Sequence, residues 1–135
     1  MAALERTRAL MDELAGVIGV PELPQDPTGG YRLTIGEDDV LIYGGNDEEI
    51  LVVAPFGKLP LEPDYALVSY LLQGNMFNSD YMPFVIAMDD GGGLIQWAKL
   101  RIAEFDGAKL ATVLENLADR SAELRGELAE APAAG

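Results

Sequence analysis

The chain has 135 residues, of which 49% are hydrophobic and 24% charged, as in a single globular domain. Nine Lys and Arg stand against 23 Asp and Glu, so the formal net charge is −14. This balance argues against nucleic acid and anionic membranes as partners, because both require a basic face. The absence of Cys and His excludes disulfides, thiol nucleophiles and histidine bases.

The first predicted element is an amphipathic helix over residues 3–19. Leu4, Met11 and Ile18 recur seven residues apart on one face, and Gly19 ends the helix. Charges fall every few residues along this N-terminal stretch, so it predicts neither a signal peptide nor a membrane span. We therefore expect a cytoplasmic protein.

Three consecutive strands are predicted after a proline-rich loop. Residues 31–35 alternate apolar and polar side chains, residues 40–43 form a second strand, and residues 50–56 are apolar on both faces, as in a central strand. The acidic stretches between them, GEDD and GGNDEE, lack the oxygen spacing of a calcium loop. We interpret both as solvated turns that blunt the strand edges.

Residues 62–75 are predicted to form a second helix, which is apolar on nearly every side. One sheet can cover only one side of such a helix, so we expect a copy of the same helix to cover the other across a two-fold axis. The alternative is a helix that lies deep beneath the other two. The predicted dimer-interface residues are Tyr65, Val68, Leu72, Phe77 and Trp97.

Two strands and a helix complete the predicted order. Residues 84–88 and 94–102 flank DDGGG, which favours a hairpin over a phosphate cradle because a strand follows the glycines. Residues 106–128 keep helical apolar spacing. The order α-β-β-β-α-β-β-α predicts an α+β fold in which helices flank a twisted antiparallel sheet. We expect one domain over residues 1–130 and a disordered tail over residues 131–135.

A groove beside the first helix is the predicted binding site. The third helix has a stripe long enough to cover one sheet face, so the first helix must share that face or cover only its margin. A groove between the first helix and the strands would leave room for a guest chain. The alternative is that the same residues are ordinary core. The predicted groove residues are Leu10, Leu14, Ile18, Leu33, Ile35, Leu41 and Tyr43.

The sequence offers no marked catalytic or metal-binding group. With 23 acidic residues, some carboxylates will be neighbours by chance, and none lies in a short motif for acid–base work. A small hydrolase that uses carboxylates is the rival interpretation, which a turnover assay would test. We expect no enzyme activity, no cofactor and no metal.

An ordered set of motifs resembles the class I chaperones of bacterial type III secretion, the Tir chaperone family. An apolar strand leads into PFGKLP, and the second helix ends in LLQGNMF, similar to the family's Leu-Leu-x-x-Asn followed by an apolar residue. A glycine turn and a Trp-bearing strand follow in GGGLIQWAKL, and LATVLENLADRSAELRGEL matches the closing helix. The resemblance extends over nearly the whole chain.

The resemblance implies a cytoplasmic homodimer that does not hydrolyse ATP. It further implies that the dimer binds an effector near the effector's N-terminus and holds that segment extended, partly as an added strand and partly through apolar anchors. A dimeric regulator or stress protein on the same scaffold is the alternative, because a fold does not determine a function.

Overall fold

A computed structural model of the chain describes residues 2–21, 23–25, 30–44, 48–73 and 84–130. Within them the elements are α1 (Ala2–Ile18), β1 (Tyr31–Ile35), β2 (Asp38–Gly44), β3 (Glu49–Lys58), α2 (Tyr65–Gln73), β4 (Val85–Met88), β5 (Gly93–Arg101), a 3-10 turn (Ile102–Glu104) and α3 (Gly107–Glu130). The predicted order α-β-β-β-α-β-β-α is confirmed. The predicted interface residue Phe77 and the predicted tail 131–135 lie outside the described residues.

The five strands form one antiparallel sheet in the order β1-β2-β3-β5-β4. The early strands β1 and β2 pair as a hairpin, and β3 then pairs with β5, so β1 and β4 are the edges. The outer edge of β1 is partly occupied, since the N–H of Arg32 donates to the carbonyl of Pro24 at 2.9 Å. Pro55 precedes a bulge in β3, as expected for a residue that cannot donate to a ladder.

Helices α2 and α3 begin at aspartate caps. Asp64 accepts a hydrogen bond from the N–H of Leu67 at 2.8 Å, and Asp106 accepts one from the N–H of Lys109 at 2.8 Å. Each carboxylate satisfies a donor that has no partner inside the helix. This explains why α2 begins at Tyr65, three residues later than predicted.

The main core lies between the sheet and the helices α1 and α3. One face of β1, β2, β3 and β5 points into it, and α1 and α3 share that face. We call this the covered face. Its fully buried large residues include Leu10, Leu14, Val40, Ile42, Ile50, Val52, Leu110, Leu114 and Leu117.

A smaller second cluster holds α2. It contains residues from three strands and two helices and lies on the covered face as well, at the end of the sheet near the β3 bulge. We call it the small cluster; its buried members are Phe56, Leu67, Leu71, Ile86, Leu94 and Leu124.

A buried polar pair separates the two clusters. Gln96 lies between Leu94 of the small cluster and Ala98 of the main core, and Ser121 lies between Leu117 and Leu124 in the same way. The Gln96 side-chain amide donates to Ser121 Oγ at 2.8 Å and to the Leu117 carbonyl at 3.2 Å. We call this pair the polar seam.

The GEDD stretch corrects one sequence-based interpretation. Its two aspartates lie in β2 and not in a solvated turn, and Asp38 is buried. Arg125 of α3 donates hydrogen bonds to both carboxylate oxygens of Asp38. This charge is retained in the interior because it is paired, and it ties the start of β2 to the last turns of α3.

Candidate functional site

The opposite face of the sheet is apolar and half-buried. Successive side chains of a strand point to opposite faces of the sheet, so the neighbours of each core residue lie on this second face. None of the described helices packs against it, because α1, α2 and α3 all lie on the covered face. We call it the open face, and its apolar members are Leu41, Tyr43, Leu51, Val53, Val85, Ala87, Ile95 and Trp97.

Trp97 is at the centre of this face. The register places Leu41 opposite Val53, Val53 opposite Trp97, and Trp97 opposite Val85. One continuous apolar row therefore crosses β2, β3, β5 and β4, and side chains directly opposite each other on neighbouring strands are in contact range. The row above it runs from Tyr43 through Leu51.

Polar groups border the open face at β1. The guanidinium of Arg32 pairs with Asp39 at 2.6 Å, and Thr34 Oγ1 donates to Asp39 at 3.0 Å. The hydrogen bond from Arg32, followed by that from Thr34, lowers the pKa of Asp39. The apolar surface is thus limited on this side by an ion pair that stays charged at neutral pH.

The Tyr43 ring lies against the backbone of Gly30. A Cβ on Gly30 would lie 2.5 Å from Cε1 of the Tyr43 ring, closer than side chains approach one another. Only glycine allows this approach, so the ring packs over Gly30 and remains on the open face.

The structure brings only part of the predicted groove together. Leu41 and Tyr43 lie on the open face, whereas Leu33 and Ile35 point to the covered face and pack against the main core. The four residues lie on two neighbouring strands. Leu33 pairs with Val40, a residue of the main core, so the apolar residues of β1 point to the covered face and not to the open face.

The predicted groove residues of α1 require a correction. Leu10 is 2% exposed and Leu14 is 0% exposed, so both belong to the main core and are closed to a guest chain. The reason is that α3 does not cover the face alone, since α1 packs beside it. Ile18 is instead exposed at the end of α1, together with Val17 and Val20.

The predicted dimer residues fall on two surfaces. Tyr65 is 88% exposed and Leu72 64% exposed on the outward side of α2, with Val68 half-buried beside them. Trp97 lies on the open face, on the opposite side of β5 from the small cluster that holds α2. Among the described helices, α2 is the one that has no charged residue.

Sequence reasoning missed five of the eight apolar residues of the open face. Leu51, Val53, Val85, Ala87 and Ile95 were not assigned to a site, although residues 50–56 were correctly predicted as apolar on both faces. The signal that could have found them is the number of helices: three helices that share one sheet face leave the other without cover.

A cleft of about 240 Å³ lies where α2 and α3 meet. It is lined by Tyr70 and Gln73 from α2 and by Arg120, Glu123 and Leu124 from α3. Arg120 also donates to the carbonyl of Phe84 at 3.3 Å. Over the described residues, no group of three or more Asp or Glu is placed to hold a metal ion. None of the described helices is long and apolar enough to cross a membrane.

The fold and the open face define a small α+β protein with a half-buried apolar surface on one side of its sheet. Residues 9–125 match the Tir chaperone protein (CesT) family, and the chain belongs to that family. The family predicted from the sequence motifs is confirmed.

Three relatives show how close the similarity is. The chaperone protein YscB of Yersinia pestis is 29% identical over 108 residues, which cover 78% of this chain and 79% of YscB. A chain in the structure of the Pseudomonas aeruginosa ExoU–SpcU complex from the type III secretion system has a TM-score of 0.72 and 25% identity, covering 87% of this chain and 97% of that chain. A chain in the crystal structure of the Yersinia pestis type III secretion chaperone SycH with a fragment of YscM2 also has a TM-score of 0.72, at 24% identity, covering 87% of this chain and 98% of that chain.

Proposed function

We propose that the protein is a cytoplasmic, non-enzymatic chaperone of a type III secreted effector. It binds the N-terminal chaperone-binding segment of the effector and keeps it extended and competent for secretion. The observation that carries this proposal is the open face, an apolar sheet surface in a chain that belongs to a chaperone family. Apolar patches of this kind on acidic proteins mark contact surfaces for other chains.

The size of the open face limits what it can bind alone. Four strands spaced about 4.8 Å apart and three rows of side chains about 7 Å apart give a patch of roughly 400 Å². A standard interface covers about 800 Å² on each partner. The effector segment therefore extends beyond the open face, and the exposed residues Val17, Ile18 and Val20 at the end of α1 are a second contact region.

The charge of the chain supports the chaperone role. A net charge of −14 keeps a protein with exposed apolar surface soluble, and it attracts segments that carry basic residues. Higher salt is therefore expected to slow association with the effector more than it speeds release.

The working form is a homodimer that meets through α2. Two chains of net charge −14 repel each other least when they meet at a surface without charged side chains, and α2 offers such a surface with Tyr65, Val68 and Leu72. We place Trp97 in the effector-binding surface instead, because it faces away from the cluster that holds α2.

The test begins with the partner. Co-purification from the source cell identifies the bound protein. Calorimetry then measures the affinity of its N-terminal segment for the purified chaperone. Trp97→Ala is expected to weaken binding ten-fold or more, as truncation of a central aromatic anchor does. Leu61→Ala is the matched control, since Leu61 is a fully exposed apolar residue outside the open face.

Two results would contradict the proposal. One is an affinity that neither Trp97→Ala nor Val53→Ser changes. The other is a bound partner that is not a secreted protein. If the Trp97→Ala variant sediments as a monomer, Trp97 belongs to the dimer interface, as the sequence predicted.

A further inference from the structure

The open face differs in charge from the rest of the chain. Acidic residues outnumber Lys and Arg by 23 to nine in the whole sequence. At the open-face positions of the described strands the balance is reversed, since three cations and two acids lie there. The cations are Arg32, Lys99 and Arg101, and the acids are Asp39 and Glu49. The net charge of the whole chain therefore gives the wrong sign for this surface.

The two acids of the open face lie next to two of its three cations. Arg32 pairs with Asp39 at 2.6 Å. The register places Arg101 of β5 directly opposite Glu49 of β3. Opposite charges at facing positions of neighbouring strands attract each other. Arg32 and Arg101 thus each have an acid beside them within the open face.

Lys99 remains outside these pairings. It is exposed on β5, lies opposite the apolar residue Leu51, and takes part in none of the ion pairs between described residues. Leu51 in turn lies opposite Tyr43, so one row across three strands runs from Tyr43 through Leu51 to Lys99. Trp97 precedes Lys99 on the same side of β5, about 7 Å away along the strand. The ammonium group therefore lies at the margin of the apolar surface.

A guest chain that covers the row of Tyr43 and Leu51 also covers Lys99. It removes water from around the ammonium group, because the three residues lie side by side on neighbouring strands. Burial of an ammonium group without a hydrogen-bond partner is costly, and this group can only donate. The guest chain must therefore supply an acceptor, and a carboxylate forms the strongest hydrogen bond because it is charged.

We propose that Lys99 selects the segment that binds the open face, by pairing with an Asp or Glu of that segment. The segment is extended, with apolar side chains over Val53 and Trp97 and the carboxylate beside Leu51. A Lys or Arg at the carboxylate's position is rejected, because it would bring two cations together. Basic residues elsewhere in the segment still respond to the net charge of −14. This inference rests on the effector-binding open face of the proposed function and names the chemistry of its ligand.

Peptide selection tests the charge preference without the effector. A phage library displays random segments of about 12 residues, longer than the sheet is wide at about 4.8 Å per strand. It is selected on the full chain in about 0.15 M salt, where charges more than about 8 Å apart are largely screened. Asp and Glu beside alternating apolar residues are expected to be enriched about three-fold or more, on the scale of one exposed ion pair. Synthetic copies of these segments are expected to bind Trp97→Ala about ten-fold more weakly, which places them on the open face.

Charge reversal at Lys99 separates a local contact from the charge of the whole chain. Lys99→Glu is expected to weaken binding of the acidic segments about ten-fold, and replacing the acid of the segment by Lys is expected to restore it. Lys109→Glu is the matched control, since it changes the net charge equally and Lys109 is exposed on α3, which packs on the covered face. It is expected to leave the affinity unchanged. Urea unfolding of both variants verifies that the fold is intact.

The opposite results would overturn the inference. If acids are not enriched, or if basic residues are, Lys99 does not select the segment. Equal affinity of acidic segments for the wild type and Lys99→Glu assigns the preference to another group. Segments that bind Trp97→Ala as tightly as the wild type lie outside the open face, and recovery of no segment means that this face takes none.

The proposed function is tested separately. Co-purification of a secreted effector together with an unchanged affinity in Lys99→Glu removes the charge preference and leaves the chaperone function standing. A partner that is not a secreted protein, together with a preference for acidic segments that depends on Lys99, removes the chaperone function and leaves the charge preference.

Discussion

Gly107→Ala is expected to separate α1 from α3. Gly107 is the first residue of α3 and is buried against the α1 backbone. A Cβ at this position would lie 2.6 Å from the carbonyl carbon and oxygen of Glu13 and 2.9 Å from its Cβ. Because these are mostly backbone atoms, no side-chain rotation can relieve the contact, and the helices must move apart.

The magnitude follows from the distances. Carbon atoms pack at about 3.5–4.0 Å, so the alanine requires a separation about 1 Å larger at this point. Overpacking of this kind costs about 1–3 kcal/mol. For a chain of 135 residues we expect the melting temperature to fall by about 3–10 °C.

The assay is thermal and urea unfolding of paired glycine variants. Gly126→Ala is the matched control, since Gly126 lies in the same helix and an added Cβ there meets nothing within 4 Å. It is expected to stabilise the protein by about 0.5–1 kcal/mol through helix propensity. Equal and positive shifts for both variants would refute the close seating of α3 on α1 at Glu13.

Three further predictions concern the core, the seam and the sheet edge. Leu14→Ala is expected to lower the unfolding free energy by about 2–5 kcal/mol and leave effector affinity unchanged; weaker binding at unchanged stability, by urea melts and calorimetry, would return Leu14 to the groove. Ser121→Ala is expected to cost about 1 kcal/mol in urea unfolding, since it removes the 2.8 Å partner of Gln96; no loss would show that the seam bond adds nothing. The hydrogen bonds from Arg32 and then Thr34 lower the pKa of Asp39, so the unfolded state binds more protons, and stability falls as pH drops from the unfolded pKa of about 3.9 through the lower folded value. Asp39→Asn should flatten the urea-midpoint profile in that range, and an unchanged profile would contradict the assignment.

The order and type of the elements could be predicted because each depends on local pattern. The 3-4 spacing of residues 106–128 and the alternation of residues 31–35 each allow one regular structure, and the observed α3 and β1 agree with them within two residues. The family could also be predicted, since its motifs lie in a characteristic order along the chain. Three of the eight apolar residues of the open face were assigned to a site from the sequence, Leu41 and Tyr43 to the groove and Trp97 to the dimer interface.

What the sequence by itself determined is therefore which residues are apolar, in what period, and hence that some apolar surface must remain uncovered. Which surface that is was decided by the tertiary structure. Leu14 and Leu41 are equally apolar in the sequence, yet α1 packs beside α3 and buries Leu14, while Leu41 points to the other side of the sheet. The physical reason is that burial depends on which helices share a face and on the strand register, and both result from contacts between residues far apart in the chain.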